Sequence, residues 1–470
     1  MAALGELSEF RQEFYQCLSR RADACFELAD ALLCADGPVG SLVGLSLAAE
    51  HRRGHGALYD AVNQGVVEVD RLRRALAGLP LPRDRAGRIV LAVDVSAWLR
   101  PDAATSPDRA FCHVHGRGRN AAQLIPGWPY SFVAALETGR SSWTAILDAV
   151  RVTPDDDLTV VTAAQVREVV DRLRQAGRWC DGDPRMLVVF DAGYDLTRLA
   201  WLLADLPIDV LGRVSTNRTY YLPAPARAPG QLGRPVRHGP KLDLDDPADH
   251  PDPAVSTITG TARYGTAFAT AWHAAHQQLQ RRAGWAEHTG ELPTVSGTLI
   301  RLQVDRLPGD RQPKPMWLWT SALELDTAGV DQAWQAYLRR FDLEHTFRMI
   351  KQTLGWTRPR LRDPHSADRW TWLIIAAHTQ LRLARELTTD LRRPWEHPPA
   401  QPARLTPARV RRGFRHLRGT LALPARVPKP TRPGPGRPPG SRNKHVNTHP
   451  PVGKTPHQNA TAKHNTHQKV

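Results

Sequence analysis

Two apolar runs that each meet an aspartate restrict the fold of this 470-residue chain more than any other feature. Residues 89–94 read IVLAVD, and residues 186–191 read MLVVFD. Short apolar runs of this kind are typical of buried strands. A carboxylate there is costly unless it is paired or bound to a metal ion. The sequence therefore predicts Asp94 and Asp191 on neighbouring strands of one sheet.

The order of elements around these runs predicts an α/β fold. Three strand candidates between Arg88 and Glu137 follow one another with turn-rich links. After them, a helix over 162–177, the strand that meets Asp191, a second helix and a strand over 208–215 alternate. Consecutive strands favour antiparallel pairing, and the later alternation favours parallel pairing. We expect a mixed sheet flanked by helices.

Composition divides the chain into five parts. The first is a helical N-terminal domain, for which DNA binding is left open. The α/β domain follows in two halves, separated by a Pro- and Gly-rich stretch that we interpret as a β-rich insertion. A basic, Pro-rich tail ends the chain, and we expect its residues 424–470 to be disordered when alone. In order, the ranges are 1–85, 86–217, 218–324, 325–393 and 394–470.

The positive charge of the chain is concentrated near its C-terminus. Residues 401–470 hold fifteen Lys or Arg and no Asp or Glu, whereas the preceding 400 residues hold 48 basic and 47 acidic groups. A cationic tail of this kind favours a polyanionic partner. Nucleic acid is favoured over a membrane, because the tail has no amphipathic apolar face. The alternative is a tail that only aids solubility.

Other classes of protein are disfavoured by what the sequence lacks. It has no apolar run long enough to cross a membrane and no basic-then-apolar signal pattern at its start. Its five cysteines form no CxxC pair, which is typical of reduced thiols in a cytoplasm. No P-loop and no GxGxxG after a strand is found, which disfavours a nucleotide-dependent α/β enzyme.

A helix predicted over 331–355 places a carboxylate among cations. At 100° per residue, four polar side chains fall within an arc of about 60°. They are Tyr337, Arg340, Glu344 and Lys351. Leu343, Phe347, Ile350 and Leu354 form an apolar seam beside them. One interpretation is a surface ladder of salt bridges, since Arg340 and Glu344 are four residues apart.

The other interpretation is that Glu344 joins the two aspartates. Three hard oxygen donors suit Mg²⁺ or Mn²⁺, whose remaining positions water and a substrate phosphate would fill. Two such ions activate an attacking oxygen and stabilise a leaving one. Asp94, Asp191 and Glu344 are therefore the candidate metal ligands.

These residues and their order resemble the RNase H-like catalytic domain of DDE transposases. The insertion-sequence group of that family with a Y-x2-R-x3-E-x6-K signature is matched in YLRRFDLEHTFRMIK, residues 337–351. The segment DAGYDLTRLAWLL resembles the strand–turn–helix around the second carboxylate, and 218–324 corresponds to a β-rich insertion. The resemblance covers roughly residues 88–390. Asp94-Val95-Ser96 stands where Asp-Asp-Thr is more usual.

The resemblance implies a DNA transposase that cuts at the ends of its element and joins the freed 3′-OH to target DNA. Asp94, Asp191 and Glu344 would be catalytic and would hold two Mg²⁺ ions, with Mn²⁺ as a substitute. Tyr337, Arg340 and Lys351 would grip phosphates at the transposon ends. The implied partners are the end and target DNA and a second copy of the chain, in a bacterial cytoplasm at the nucleoid. The rivals are a catalytically silent DNA-binding relative and a structure-specific nuclease of the same fold.

The tail contains a second DNA-binding candidate. Gly436-Arg437-Pro438 resembles the core of an AT-hook, which lies in the narrow minor groove of A·T-rich DNA. Arg432, Arg442 and Lys444 flank it. A chance match in a low-complexity segment is the alternative.

Overall fold

A large mixed sheet with helices on both faces organises the computed structural model. The structure describes residues 2–115, 122–138, 141–226, 236–246, 250–307, 312–399, 405–429, 440 and 448–453. The helices are α1 (Ala2–Gln16), α2 (Ala22–Cys34), α3 (Leu42–Ser46), α4 (His55–Gln64), α5 (Val69–Gly78), α6 (Leu158–Gln175), α7 (Leu196–Leu202), α8 (Thr327–Arg339), α9 (Phe341–Arg348), α10 (Pro364–Ala384) and α11 (Pro407–Arg418).

The strands fall into a small sheet and a large one. The small sheet pairs β1 (Leu18–Arg20) with β2 (Val66–Val67). The large sheet contains β3 (Val90–Leu99), β4 (Ala110–His115), β5 (Ala122–Leu136), β6 (Thr144–Arg151), β7 (Met186–Phe190), β8 (Ile208–Val214), β9 (Thr219–Pro223), β10 (His238–Asp243), β11 (Val255–Thr261), β12 (Gly265–His276), β13 (Ser296–Val304) and β14 (Met316–Thr320).

The centre of the large sheet has the predicted mixed topology. Strand β3 is parallel to β7, which is parallel to β8, while β5 is antiparallel to β3. Strands β4 and β6 both pair with β5, one with its first half and one with its second. The expectation of an α/β, RNase H-like mixed sheet is confirmed.

The strands of the predicted insertion continue the same sheet. Strand β14 pairs antiparallel with β8, and β13, β12 and β9 follow outward from it. Strand β11 pairs with β12 and touches α8 through hydrogen bonds. Thr257 Oγ1 donates to Asp331 Oδ1 of α8 at 2.7 Å, and the Thr259 hydroxyl donates to Asp331 Oδ2. The helix that leads to Glu344 is thus fastened to the far part of the sheet.

Alternation along β3 separates two apolar cores. Val90 and Ala92 belong to the core that includes α9, α10 and the N-terminal helices, whereas Leu91 and Val93 belong to the core beneath α6 and α7. Successive residues of a strand point to opposite faces, so a strand covered on both faces is apolar throughout. This explains why residues 89–93 form an uninterrupted apolar run.

The N-terminal helices and α11 pack around α10. Most of α10 is buried, and α1, α2, α4 and α11 all contact it. Helix α11 lies in the range that the charge distribution assigns to the tail, yet Val410 and Phe414 are fully buried. Its arginines bind acidic groups far away in sequence, among them Arg418 to Asp30 at 2.7 Å. The division of the chain into five domains stays a prediction.

Candidate functional site

The two aspartates lie side by side because their strands are parallel and in register. Val93 of β3 is the partner of Phe190, the last residue of β7. Asp94 and Asp191 are the next residues of the two strands. Strand β7 ends at Phe190, whereas β3 continues to Leu99 and extends past the end of β7.

The helix that carries Glu344 is not the single straight helix that the periodicity predicts. Helix α8 ends at Arg339, α9 begins at Phe341, and a π-helical turn covers Met349–Thr353. In that turn the Leu354 N–H donates to the Met349 carbonyl, five residues back, at 3.1 Å. A wider turn of this kind rotates the residues that follow it. The 100° spacing therefore does not hold from Tyr337 to Lys351.

Arg340, at the break between α8 and α9, binds all three candidate carboxylates. Its Nη1 lies 3.0 Å from Asp94 Oδ2. Its Nη2 lies 3.3 Å from both Asp191 Oδ1 and Glu344 Oε1. The predicted ion pair between Arg340 and Glu344 is present, but the arginine side chain is only 8% exposed and also binds two aspartates, so the pair is part of a larger, partly buried group. The structure brings Asp94, Asp191, Glu344 and Arg340 together in one cluster, which we call the acidic cluster.

The acidic cluster has too few cations for its carboxylates. The pKa of Asp94 is raised to about 6, chiefly by burial; Arg340 lowers it, whereas Asp191 and Glu344 contribute to raising it. Burial also disfavours the charged form of Arg340, but the carboxylates hold its pKa above the ordinary value. One guanidinium thus faces three acids, and the cluster favours additional positive charge.

Tyr337 and Lys351 stand at the margin of the acidic cluster. The Tyr337 hydroxyl lies 3.4 Å from Asp191 Oδ1, and burial, with Asp191, raises its pKa to about 12. The Lys351 ammonium lies 5.6 Å from the centre of the Trp356 ring. Burial lowers the pKa of Lys351, while Cys112 and Asp94 oppose the shift. Among the described residues, Lys351 has no ion pair.

The sequence interpretation missed Tyr194, which lies in the turn after Asp191. Its hydroxyl is buried and finds no hydrogen-bond partner among the described residues. Burial raises its pKa, and the charges of Asp94 and Asp191 add to the shift. Asp195, one residue later, accepts from the Arg198 N–H at 3.1 Å and caps α7. The signal for Tyr194 was its place in DAGYD, between two acids.

The acidic cluster fits a metal ion by chemistry, although Arg340 now occupies its centre. Carboxylate oxygens are the ligands that Mg²⁺ prefers. In the described part of the chain, no three His, Cys, Asp or Glu side chains stand close enough together to hold an ion as they are. Metal binding would need Arg340 to release at least one carboxylate.

The tail candidates cannot be placed. Arg432, Arg437, Arg442 and Lys444 lie outside the described residues.

No helix in the described ranges is both long and apolar enough to cross a membrane.

Comparison with known proteins identifies the family. Residues 13–280 match the family described as DDE superfamily endonuclease. The match includes both aspartates and ends before α8 and α9. No curated protein matches the chain with significant similarity. Members of this family are nucleases and transposases that act on DNA and typically use divalent metal ions. Because the match spans more than half of its residues, the chain belongs to the DDE endonuclease superfamily.

Proposed function

We propose that the chain is a DNA transposase that cuts at the ends of its own element and joins the freed 3′-OH to target DNA. The observation that carries the proposal is the acidic cluster. Asp94 within β3, Asp191 after β7 and Glu344 on α9 come from separate parts of the chain, yet their oxygens meet at one guanidinium. A structural salt bridge does not need three acids for one cation.

Asp94, Asp191 and Glu344 are the proposed ligands of two Mg²⁺ ions. Bound there, the ions would activate the attacking oxygen and stabilise the leaving one. Asp94 is the most buried of the three, with 17% of its side chain exposed, while Asp191 and Glu344 are 44% and 40% exposed. The cluster is therefore reachable from solvent on the side where the DNA would lie.

The cations of the signature have separate proposed roles. Arg340 keeps the three carboxylates together and is near enough to bind the phosphate when DNA arrives. Tyr337 orients Asp191 through its hydroxyl. Lys351 is close enough to Asp94 for that carboxylate to affect its pKa, and its desolvated ammonium would contact a phosphate strongly.

The proposed reaction is in-line displacement at phosphorus. Water attacks the phosphodiester at the element end, the bond from phosphorus to the 3′ oxygen breaks, and that oxygen leaves as a 3′-OH. The 3′-OH then attacks the phosphodiester that joins the opposite strand to the flanking DNA, which gives a hairpin at the element end and releases a 3′-OH on the flanking strand. A second water opens the hairpin and regenerates the 3′-OH of the element. That 3′-OH attacks a phosphodiester of the target, and a 3′-OH of the target strand leaves. The chain forms no covalent bond to DNA. Two copies acting together would hold the two ends, and the basic tail with Arg437 would add contacts to A·T-rich duplex.

The test is a cleavage assay on the DNA that flanks the gene, with its inverted repeats, in Mg²⁺. Asp94→Asn, Asp191→Asn and Glu344→Gln should each abolish cleavage and leave end binding largely intact. The matched control is Asp195→Asn, because asparagine caps a helix as well as aspartate does. Cleavage at the wild-type rate by any of the first three variants would remove that residue from the site. Cleavage without joining to a target plasmid would favour the structure-specific nuclease.

A further inference from the structure

Three exposed arginines follow the π-helical turn in an irregular segment, TRPRLRD, residues 357–363. Arg358, Arg360 and Arg362 are exposed, whereas Pro359 and Leu361 between them are buried. Because exposure alternates along the segment, the three guanidinium groups lie on its solvent side. We call these three residues the arginine ladder.

The arginine ladder differs from most arginines in the body of the chain. Arg409 and Arg412 of α11, for example, are paired with Asp390 and Glu396. Within the described ranges, none of the three ladder side chains has an ion pair or a side-chain hydrogen bond. Exposed cations without an acidic partner are free to bind an external anion.

The backbone beneath the arginine ladder is fixed. The Arg100 guanidinium donates to the Leu361 carbonyl. At the start of the segment, Trp370 Nε1 donates to the Trp356 carbonyl at 2.8 Å. At its end, Asp363 caps α10 by accepting from the Ser366 N–H at 2.8 Å. Binding through the ladder would therefore cost side-chain entropy but little backbone ordering.

The arginine ladder is joined through Arg100 to the end of the strand that carries Asp94. Arg100, which contacts the middle of the ladder, is the residue immediately after β3. It comes six residues after Asp94. Six residues of strand span about 20 Å. The Trp356 ring, which lies 5.6 Å from the Lys351 ammonium, also packs against the ring of Trp98, a β3 residue between Asp94 and Arg100 in sequence. Positive charge accumulates at the end of β3 that is farther from the acidic cluster. There the pKa of Arg100 is lowered, mainly by burial and also by the charges of Arg109 and Arg360, whereas Asp102 raises it.

We propose that the arginine ladder binds the phosphate backbone of duplex DNA on one side of the phosphodiester held at the acidic cluster. The inference rests on the proposed function. At 3.4 Å per base pair, 20 Å corresponds to about six base pairs from the reacting bond. The contact is independent of sequence, because cations that bind phosphates do not read base edges. It adds a second anchoring point, which fixes the direction in which the duplex leaves the site.

The test is a binding titration on a 40-base-pair duplex of arbitrary sequence, in EDTA, at several salt concentrations. Changing Arg358, Arg360 and Arg362 to Ala should make the slope of log affinity against log salt shallower by about 0.9 for each ladder residue that contacts a phosphate. Arg360→Glu alone should weaken binding more than Arg360→Ala. The matched control changes Arg85, Arg282 and Arg306 to Ala, which are exposed and whose side chains are likewise unpaired among the described residues. An equal effect in ladder and control variants would overturn the proposal, as would no effect in the ladder variant.

A second series, on duplexes of different lengths that contain the element end, locates the contact. Duplexes cut back to fewer than about six base pairs on one side of the cleavage site should bind wild type and ladder variant equally, because the ladder then has no phosphate to reach. A difference that persists on the shortest duplexes would place the contact elsewhere. Binding in EDTA needs no cleavage. A wild-type protein that binds DNA through the ladder but never cuts it would therefore contradict the proposed transposase function and still support DNA binding by the arginine ladder.

Discussion

Two clusters of arginine and carboxylate in this molecule have opposite charge balances. In the acidic cluster, Arg340 faces three carboxylates. In the interior, Asp30 of α2 is held by two arginines, Arg11 at 2.7 Å and Arg418 at 2.7 Å, and its side chain is 1% exposed. We call the second group the Asp30 network.

The difference separates a structural ion pair from a site. In the Asp30 network every oxygen of the carboxylate has a guanidinium partner, and a further cation would meet only repulsion. In the acidic cluster, one guanidinium serves three carboxylates, so negative charge is in excess. Burial above all raises the pKa of Asp94 to about 6, and the neighbouring carboxylates act in the same direction although Arg340 opposes them. The ratio of cations to acids, rather than the presence of a salt bridge, indicates where a metal ion would bind.

The largest expected effect comes from removing the arginine of each group. Arg340→Ala should lower the free energy of unfolding in EDTA by about 3 kcal/mol, since it leaves partly buried charges unpaired. Added Mg²⁺ should restore much of that loss, because an ion that binds only the folded state stabilises it. The measurement is chemical denaturation with and without Mg²⁺.

Arg11→Ala is the matched control for this comparison. It should cost about 3–5 kcal/mol, and Mg²⁺ should restore none of it, because Arg418 still balances Asp30. Equal rescue of the two variants, or rescue of neither, would mean that the acidic cluster has no preference for a divalent cation.

The second prediction concerns pH. The pKa of Asp94 is raised from 3.8 to about 6 in the folded chain. The stability that its protonated form contributes is therefore complete below pH 3.8 and lost as the pH rises through about 6. Between pH 4 and pH 7 the wild type should lose up to about 3 kcal/mol of unfolding free energy through Asp94, and Asp94→Asn should not show this loss.

Cleavage should follow the opposite direction. A metal ligand must be deprotonated, so at Mg²⁺ concentrations too low to saturate the site the rate should rise with pH and level off above the pKa of Asp94, which is raised to about 6 in the metal-free chain. A profile flat from pH 5 to 8 would contradict the assignment of Asp94 as a ligand.

The third prediction compares two tyrosines. The Tyr130 hydroxyl donates to Asp368 at 2.7 Å, whereas the buried Tyr194 hydroxyl lacks a partner among the described residues. Tyr130→Phe should lower the free energy of unfolding by about 1.5–3 kcal/mol, since it removes a hydrogen bond to a charged group. Tyr194→Phe should leave it unchanged or raise it by about 1 kcal/mol. A loss in Tyr194→Phe as large as in Tyr130→Phe would show that this hydroxyl is bonded.

The smallest effect is expected at the outer end of α11. Arg415 pairs with Asp36 at 2.5 Å, but the two side chains are 42% and 87% exposed. Arg415→Ala should change the free energy of unfolding by less than about 1 kcal/mol, because water screens an exposed pair. A loss as large as that of Arg11→Ala would mean that solvent exposure does not determine how much an ion pair contributes to the stability of this chain.

The sequence predicts the centre of the fold well because local pattern decides it. The runs at β3 and β7 are apolar on both faces, and α6 has a clear helical period. Strand β6 (Thr144–Arg151) was missed, since Asp148 interrupts its apolar run. Arg73 and Arg172 bind that carboxylate, from positions that no local window includes.

The candidate site is predictable in its members but not in its geometry. Asp94, Asp191, Glu344 and Arg340 were all named from strand context and the signature. A wheel of 100° per residue could not reveal the break at Arg340 or the π-helical turn before Lys351. Nor could charge counting separate α11 from the rest of the tail, because two of its arginines, Arg415 and Arg418, are neutralised by Asp36 and Asp30, near the other end of the chain.

Hydrogen bonds from β11 to Asp331 connect the outer strands of the sheet to the helix that precedes Arg340. Asp331 lies on α8, and Arg340 follows the last residue of that helix. A tilt of β11 would be transmitted along α8 to the guanidinium that keeps Asp94, Asp191 and Glu344 together. DNA bound to the outer part of the sheet would thereby shift Arg340 without contacting it. Substrate binding and the rearrangement of the acidic cluster would then be coupled.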